Sequence, residues 1–223
     1  MTKPRLSEVL ALPFRRPLLL ALALLLSGIL YGAGLQADLD EIGDPQWVVT
    51  MAVLLLVSPL FNGAYILAVQ AYRGGGRPSF SGTLARVLSV YPRLVVGQIV
   101  VNALVVGGAF LFIVPGIYFG LRLAFYKQAI LLEGRTFARA VGESLRQTPT
   151  GREAFLLLLY VAPFYAPSIL TYVVTIAFPL GTAGDALALT GSILTFAWTN
   201  VLVTTLYVPS PPRPAEARGT RAP

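Results

Sequence analysis

Six apolar stretches alternate with short polar ones along the chain. They run Leu18–Leu35, Val48–Tyr72, Leu94–Val114, Ile117–Leu132, Phe155–Phe178 and Ala186–Val208. A helix rises about 1.5 Å per residue, so roughly 20 apolar residues cross a hydrocarbon core. The fourth stretch, at 16 residues, is short of that length. The pattern predicts an all-α polytopic membrane domain with six transmembrane helices over residues 1–208. The last fifteen residues, PSPPRPAEARGTRAP (209–223), are polar and rich in Pro and Arg and predict a disordered cytoplasmic tail. Its PPRP has the form of an SH3-groove ligand, although a solvated tail is the simpler reading. The first stretch follows Lys3, Arg5, Arg15 and Arg16, as a signal peptide would, but it is longer than an ordinary signal core and lacks a small-x-small cleavage site. It is read as an anchor.

Two polar intervals carry a second period. In FSGTLARVLSVYP the apolar residues Phe80, Leu84 and Leu88 recur every four and stop at Pro92. In FARAVGESLRQTP the matching residues are Phe137, Val141 and Leu145, stopping at Pro149. Each predicts an amphipathic cytoplasmic helix lying in the interface, with its proline opening the next span. The constant offset of 57 leaves internal duplication and chance likeness both open. RLSEVLALPFRRP is a looser third case before the first span.

Charge then orients the helices. Asp38, Asp40, Glu41 and Asp44 fill the first loop, and Asp185 alone precedes the sixth span. The arm before the first span, the interval holding Arg73, Arg77, Arg86 and Arg93, and the interval holding Arg135, Arg139, Arg146 and Arg152 carry the basic residues. The positive-inside rule puts both termini in the cytoplasm. The spread of basic residues over several loops accounts for the net charge of +7 without nucleic acid. It also requires Leu94–Leu132 to go out and return, because as one helix it would be about 58 Å long. Pro115-Gly116 near its middle fits a type II turn. The acids of DLDEIGD lack the twelve-residue calcium pattern and read as solvated.

Hydrophobic residues make up 56% of the 223 and charged ones 12%, against roughly 25% charged in soluble domains. Cys and His are both missing from the sequence, which removes disulfides, thiol nucleophiles, Cys/His zinc sites and histidine bases. Neither an acid–base pair nor a cofactor site is evident, so an enzyme is not expected. Arg122 and Lys127 are the charges well inside a span, with Tyr118 and Tyr126 on the face of Arg122. These four residues form a candidate site for a lipid phosphate or another anion. The alternatives are that Lys127 snorkels to the interface and that Arg122 reaches headgroups or carbonyls. Asn62, Asn102 and Asn200 lie at similar depth, with Gln98 one turn from Asn102. They are candidates for a polar layer around a cavity, or for plain interhelical hydrogen bonding. Ser192, Thr195 and Thr199 form a small polar stripe, and Pro163 and Pro167 should kink the fifth span.

NGAYILAVQAYRGGGRPSFSGTLARVL, VPGIYFGLRLAFYKQAILLEG and FARAVGESLRQT, over about Leu6–Phe178, resemble a bacterial family. It is the membrane domain found in front of some glycerophosphodiester phosphodiesterases, together with stand-alone inner-membrane relatives. The family's catalytic barrel has no counterpart here, so the resemblance implies a membrane module of the bacterial cytoplasmic membrane and no phosphodiesterase activity. Two functions are expected from different classes. One is a non-enzymatic module that engages anionic lipid, a partner membrane protein or a second copy of itself in envelope organisation. The other is a small transporter or lipid-handling permease with a polar cavity.

Overall fold

The structure is a computed structural model and describes residues 6–36, 45–148, 150–178 and 181–208. The acidic loop 37–44, Pro149 and the tail 209–223 lie outside the described residues. Every regular element among those described is helical. In chain order they are α1 (Leu6–Arg15), α2 (Pro17–Gln36), α3 (Pro45–Ala52), α4 (Ser58–Arg73), α5 (Phe80–Leu111), α6 (Ile113–Arg122), α7 (Tyr126–Glu133), α8 (Phe137–Gln147), α9 (Gly151–Val161), α10 (Ala166–Ala177) and α11 (Thr182–Leu206). Four helical runs, Val48–Arg73, Phe80–Leu111, Gly151–Ala177 and Thr182–Leu206, are long and apolar enough to cross a bilayer. The pair Leu6–Arg15 and Pro17–Leu30, bent by 82°, brings the number to five. Exposed aliphatic and aromatic side chains cover α5, α9 and α10, among them Phe110, Leu111, Leu159 and Leu170. So wide an apolar surface is compatible with lipid contact and foreign to a soluble monomer.

Proline shapes the second span. α3 joins α4 through one π-helical stretch, Val53–Val57, just before Pro59. The Ser58 N–H donates to Val53 O, five residues back, so Leu54 O loses its usual amide donor. The Ser58 hydroxyl donates to Leu54 O instead, at 2.5 Å. Beyond this bulge α4 is buried from Gly63 to Val69 without interruption, as a central helix must be.

α5 departs from expectation. The stripe Phe80, Leu84, Leu88 does not form a separate interfacial helix, because the chain continues through Pro92 as one helix of 32 residues. Packing on both sides of the proline holds it straight on. A Cβ at Gly63 of α4 would lie 2.9 Å from Val87 and 3.4 Å from Leu94, so one close crossing grips α5 before and after Pro92. The buried face in the first turns is Thr83 and Val87, while Phe80 and Leu88 are exposed.

The chain does reverse after α5, but not at Pro115-Gly116. The break is Phe112, whose extended backbone (φ −160°, ψ 145°) separates α5 from α6. Pro115 sits in the first turn of α6, where an N–H has no intrahelical partner to lose. Gly116 is buried at the crossing of the two helices. A Cβ there would lie 2.8 Å from Ala109 N and from Val105 O. The glycine is needed for close approach and not for a positive φ.

The stretch expected as a fourth span is also not one helix. α6 ends at Arg122, Leu123–Phe125 form a turn, and α7 resumes at Tyr126. α7 is buried almost all round, and Gly134 (φ 65°) closes it in the left-handed conformation. The fifth span tightens to a 3-10 turn at Ala162–Tyr165, which contains Pro163, and Pro167 opens α10.

Candidate functional site

α8 is where the predicted interfacial helix meets the bundle. Phe137, Val141 and Leu145 are partly buried and pack against the protein core, so this stripe does not lie free for lipid. The deepest face is another one, Ala140, Ser144 and Thr148, at four-residue spacing and almost wholly buried. Small side chains let α8 approach the α6–α7 break and satisfy it. The Ser144 hydroxyl donates to Arg122 O at 2.7 Å and accepts from the Phe125 N–H at 3.1 Å. Thr148 Oγ1 donates to the same carbonyl at 3.3 Å.

A buried ionic cluster anchors the other side of α8. Glu143, 4% exposed, meets Arg146 Nη2 at 2.5 Å and Arg135 Nη1 at 3.5 Å. Arg135 also pairs with Glu133 at 2.5 Å, and the Tyr207 hydroxyl after α11 donates to Glu133. Burial pulls the Arg135 guanidinium down, but the hydrogen bond and charge of Glu133, with Glu143, hold it above its ordinary value. The hydrogen bonds that Arg146 donates to Glu143 likewise hold its guanidinium above the ordinary value. Gln147 Nε2 donates to Val208 O at 2.7 Å, joining α8 to the end of α11.

Above this lock lies a cavity of about 720 Å³ between α5, α6, α7, α9, α10 and α11. Val101, Leu121, Leu158 and Val203 give it apolar walls. Its polar groups are Asn102, Tyr126, Lys127, Gln128, Thr199 and Asn200. Ile117, Tyr165 and Ile169 line it and are also exposed on the outer surface. Lys127 is the one charged residue in the lining among the described residues, and no described carboxylate forms a salt bridge with it. Its Nζ lies 5.7 Å from the centre of the Tyr126 ring.

The four residues expected to form one anion site separate into two pairs. Arg122 Nη1 donates to the Tyr118 hydroxyl at 3.2 Å, with the guanidinium 5.6 Å from that ring, and neither residue lines the cavity. Tyr126 turns the other way. Its hydroxyl donates to Gln98 Oε1 at 3.1 Å, and Gln98 Nε2 donates to Asn102 Oδ1 at 3.1 Å. This relay fixes Asn102 at the cavity wall. Lys127 lines the cavity, and the backbone break before α7 places it there.

The asparagine layer is partial. Asn102 and Asn200 line the cavity; Asn62 does not. Asn62 Nδ2 donates to Ser58 O and Asn200 Nδ2 to Phe196 O, each one turn back in its own helix. Thr195 serves packing, accepting from the Ser168 hydroxyl at 2.8 Å. Gln128 carried no sequence signal, and Thr199 carried only that of the polar stripe with Ser192 and Thr195. Gln128 Oε1 and Thr199 Oγ1 are buried at the cavity with no hydrogen-bond partner in the protein. A larger groove of about 1190 Å³ beside α1 has no charged residue in its lining.

No family model, curated protein or solved structure matches the chain.

Proposed function

We propose that this protein is a non-enzymatic, six-crossing module of a bacterial cytoplasmic membrane that engages anionic lipid through the Lys127 cavity. The observation that carries the reading is a lysine without a described carboxylate partner, in a cavity with no other charged residue among its described lining and with Ile117, Tyr165 and Ile169 of that lining exposed on the outer surface. A charge in that setting is costly unless an anion accompanies it. An anionic headgroup supplies the charge, and the apolar wall accommodates the chains below it.

The six crossings in this reading are α2, α3–α4, α5, α6–α7, α9–α10 and α11. α6, its break and α7 together extend about 30 Å, enough for one broken crossing. Basic loops place both termini in the cytoplasm. α1, bent away from α2, and α8 then lie at the cytoplasmic face, with Arg15, Arg139 and Arg146 exposed toward headgroups. The family resemblance supports the same reading, with a role in envelope organisation. The chain's lack of His and Cys, and a cavity lined by no carboxylate, favour binding over catalysis.

Native mass spectrometry of the purified protein tests it. Anionic phospholipid should be retained by the wild type and by Arg122→Leu, and lost from Lys127→Gln. Equal retention by wild type and Lys127→Gln would remove the cavity from the account. A lipid-handling permease is the second reading, favoured by Asn102 and Asn200 on the cavity wall. It expects cysteines at those two positions to react with a small charged thiol reagent from the cytoplasmic side. Inertness at both would leave a static binding module.

A further inference from the structure

Resting on the lipid reading, we infer that the cavity selects a monoanionic phosphodiester headgroup that carries a free hydroxyl, and that Gln128 and Thr199 read that hydroxyl. The charge count comes first. Lys127 supplies one positive charge, and no other cation among the described residues lines the cavity. A headgroup with two negative charges leaves one uncompensated, and a zwitterionic head with an ammonium places that cation beside Lys127. A single phosphodiester charge fits a single lysine.

The hydroxyl comes from the second observation. Gln128 is 2% exposed and belongs to the cavity lining, and its Oε1 is buried with no partner in the protein. A buried acceptor left unsatisfied costs about 1–3 kcal/mol, so a donor belongs there. Thr199 Oγ1 is in the same state across the cavity on α11. In that helix Thr190, Ser192 and Thr205 each donate to the carbonyl four residues back, at 2.7–2.9 Å, while Thr199 and Thr204 do not, and of these two Thr199 is the one in the cavity lining. Thr199 does not return its hydroxyl to the helix. A ligand hydroxyl both donates and accepts, so it satisfies the Gln128 amide in either orientation and Thr199 as well. The apolar walls place the source in the membrane, which makes a glycerol-headed phospholipid the expected occupant.

Two lipids separate the hydroxyl from the charge. Phosphatidylglycerol and phosphatidylmethanol have the same phosphodiester charge, and phosphatidylmethanol has no hydroxyl. The full-length protein is incubated with equal amounts of both, with matched acyl chains and excess phosphatidylcholine, and retained lipid is read by native mass spectrometry. The wild type should favour phosphatidylglycerol by about fivefold to tenfold, the worth of one hydrogen bond to a buried group. Gln128→Met and, independently, Thr199→Val should bring the ratio toward one while still retaining both lipids over phosphatidylcholine. Equal retention of the two by the wild type, with loss of both in Lys127→Gln, overturns the hydroxyl inference and leaves the lipid reading standing. No preference for either over phosphatidylcholine overturns both. Displacement of bound lipid by millimolar inorganic phosphate would assign the site to a free anion and overturn the membrane source.

Discussion

Ser144→Ala isolates the lock that α8 places on the broken helix. The side chain is fully buried and its hydroxyl makes two bonds, donating to Arg122 O at 2.7 Å and accepting from the Phe125 N–H at 3.1 Å. Alanine removes one oxygen and little volume, so lost hydrogen bonding dominates over cavity formation. Thr148 Oγ1 lies 3.3 Å from Arg122 O, but its single proton has a shorter acceptor in Ser144 O at 2.9 Å, so it compensates only by giving up that bond. The Phe125 N–H loses its acceptor, and an orphaned buried donor costs about 1–3 kcal/mol. Interhelical polar contacts in membranes average nearer 0.6 kcal/mol each, which puts two of them at about 1.2 kcal/mol as a lower bound. The expected destabilisation is therefore about 1–3 kcal/mol. It is measured by unfolding in mixed micelles with increasing SDS, followed by far-ultraviolet circular dichroism. Ser192→Ala is the control, since that exposed hydroxyl bonds only Ala188 O in its own helix. It should change stability by less than about 0.5 kcal/mol. A Ser144→Ala protein no less stable than Ser192→Ala would refute the idea that α8 holds the break together.

Gly116→Val should destabilise the α5–α6 hairpin by about 1–3 kcal/mol in the same assay, because its Cβ meets backbone atoms that cannot rotate away. Pro115→Ala, in the first turn of α6, should change little. Glu143→Ala should cost about 1 kcal/mol, because Arg135 keeps Glu133 and Arg146 is largely exposed, and it should loosen the end of α11 as read by limited proteolysis near Tyr207. For topology, single cysteines at Asp40 and Asp185 should react with an impermeant maleimide outside intact cells, and those at Gly75 and Thr220 should not. Labelling of Gly75 from outside would break the six-crossing reading.

How much of this was legible in the sequence differs from element to element. Apolar run length located the long helices, because length and composition are what a bilayer demands. The reversal after α5 followed from charge parity and length, but its position did not. Pro-Gly is a strong turn signal, and here the same pair serves a helix start and a close crossing instead. Pro92 misled in the same way: a proline reads as a boundary unless packing on both sides, here Val87 and Leu94 on Gly63, holds the helix through it. In α8 the large apolar residues drew attention to Phe137, Val141 and Leu145. The stripe Ala140, Ser144, Thr148 was equally visible, and small residues at that spacing are the mark of close helix packing. Lys127 stood out as a charge in a span, but its direction depends on a backbone break that no local residue type announces. Gln128 gave no sequence signal and Thr199 only that of a polar stripe, because what distinguishes them is a missing partner, which exists only in three dimensions.

The central claim is that Lys127 holds a lipid phosphate inside the membrane. The chain has two lysines, Lys3 and Lys127, so Lys3→Arg leaves a single ammonium to observe. Lysine labelled with nitrogen-15 at the side chain then reports on one site in proteoliposomes containing phosphatidylglycerol. Solid-state nitrogen–phosphorus dipolar dephasing measures its distance to the nearest phosphorus. A charge-assisted N–H···O contact of about 2.8 Å puts that phosphorus within about 4 Å of Nζ, and strong dephasing is expected. Dephasing absent at Lys127, in protein shown to be folded and inserted, would contradict the account.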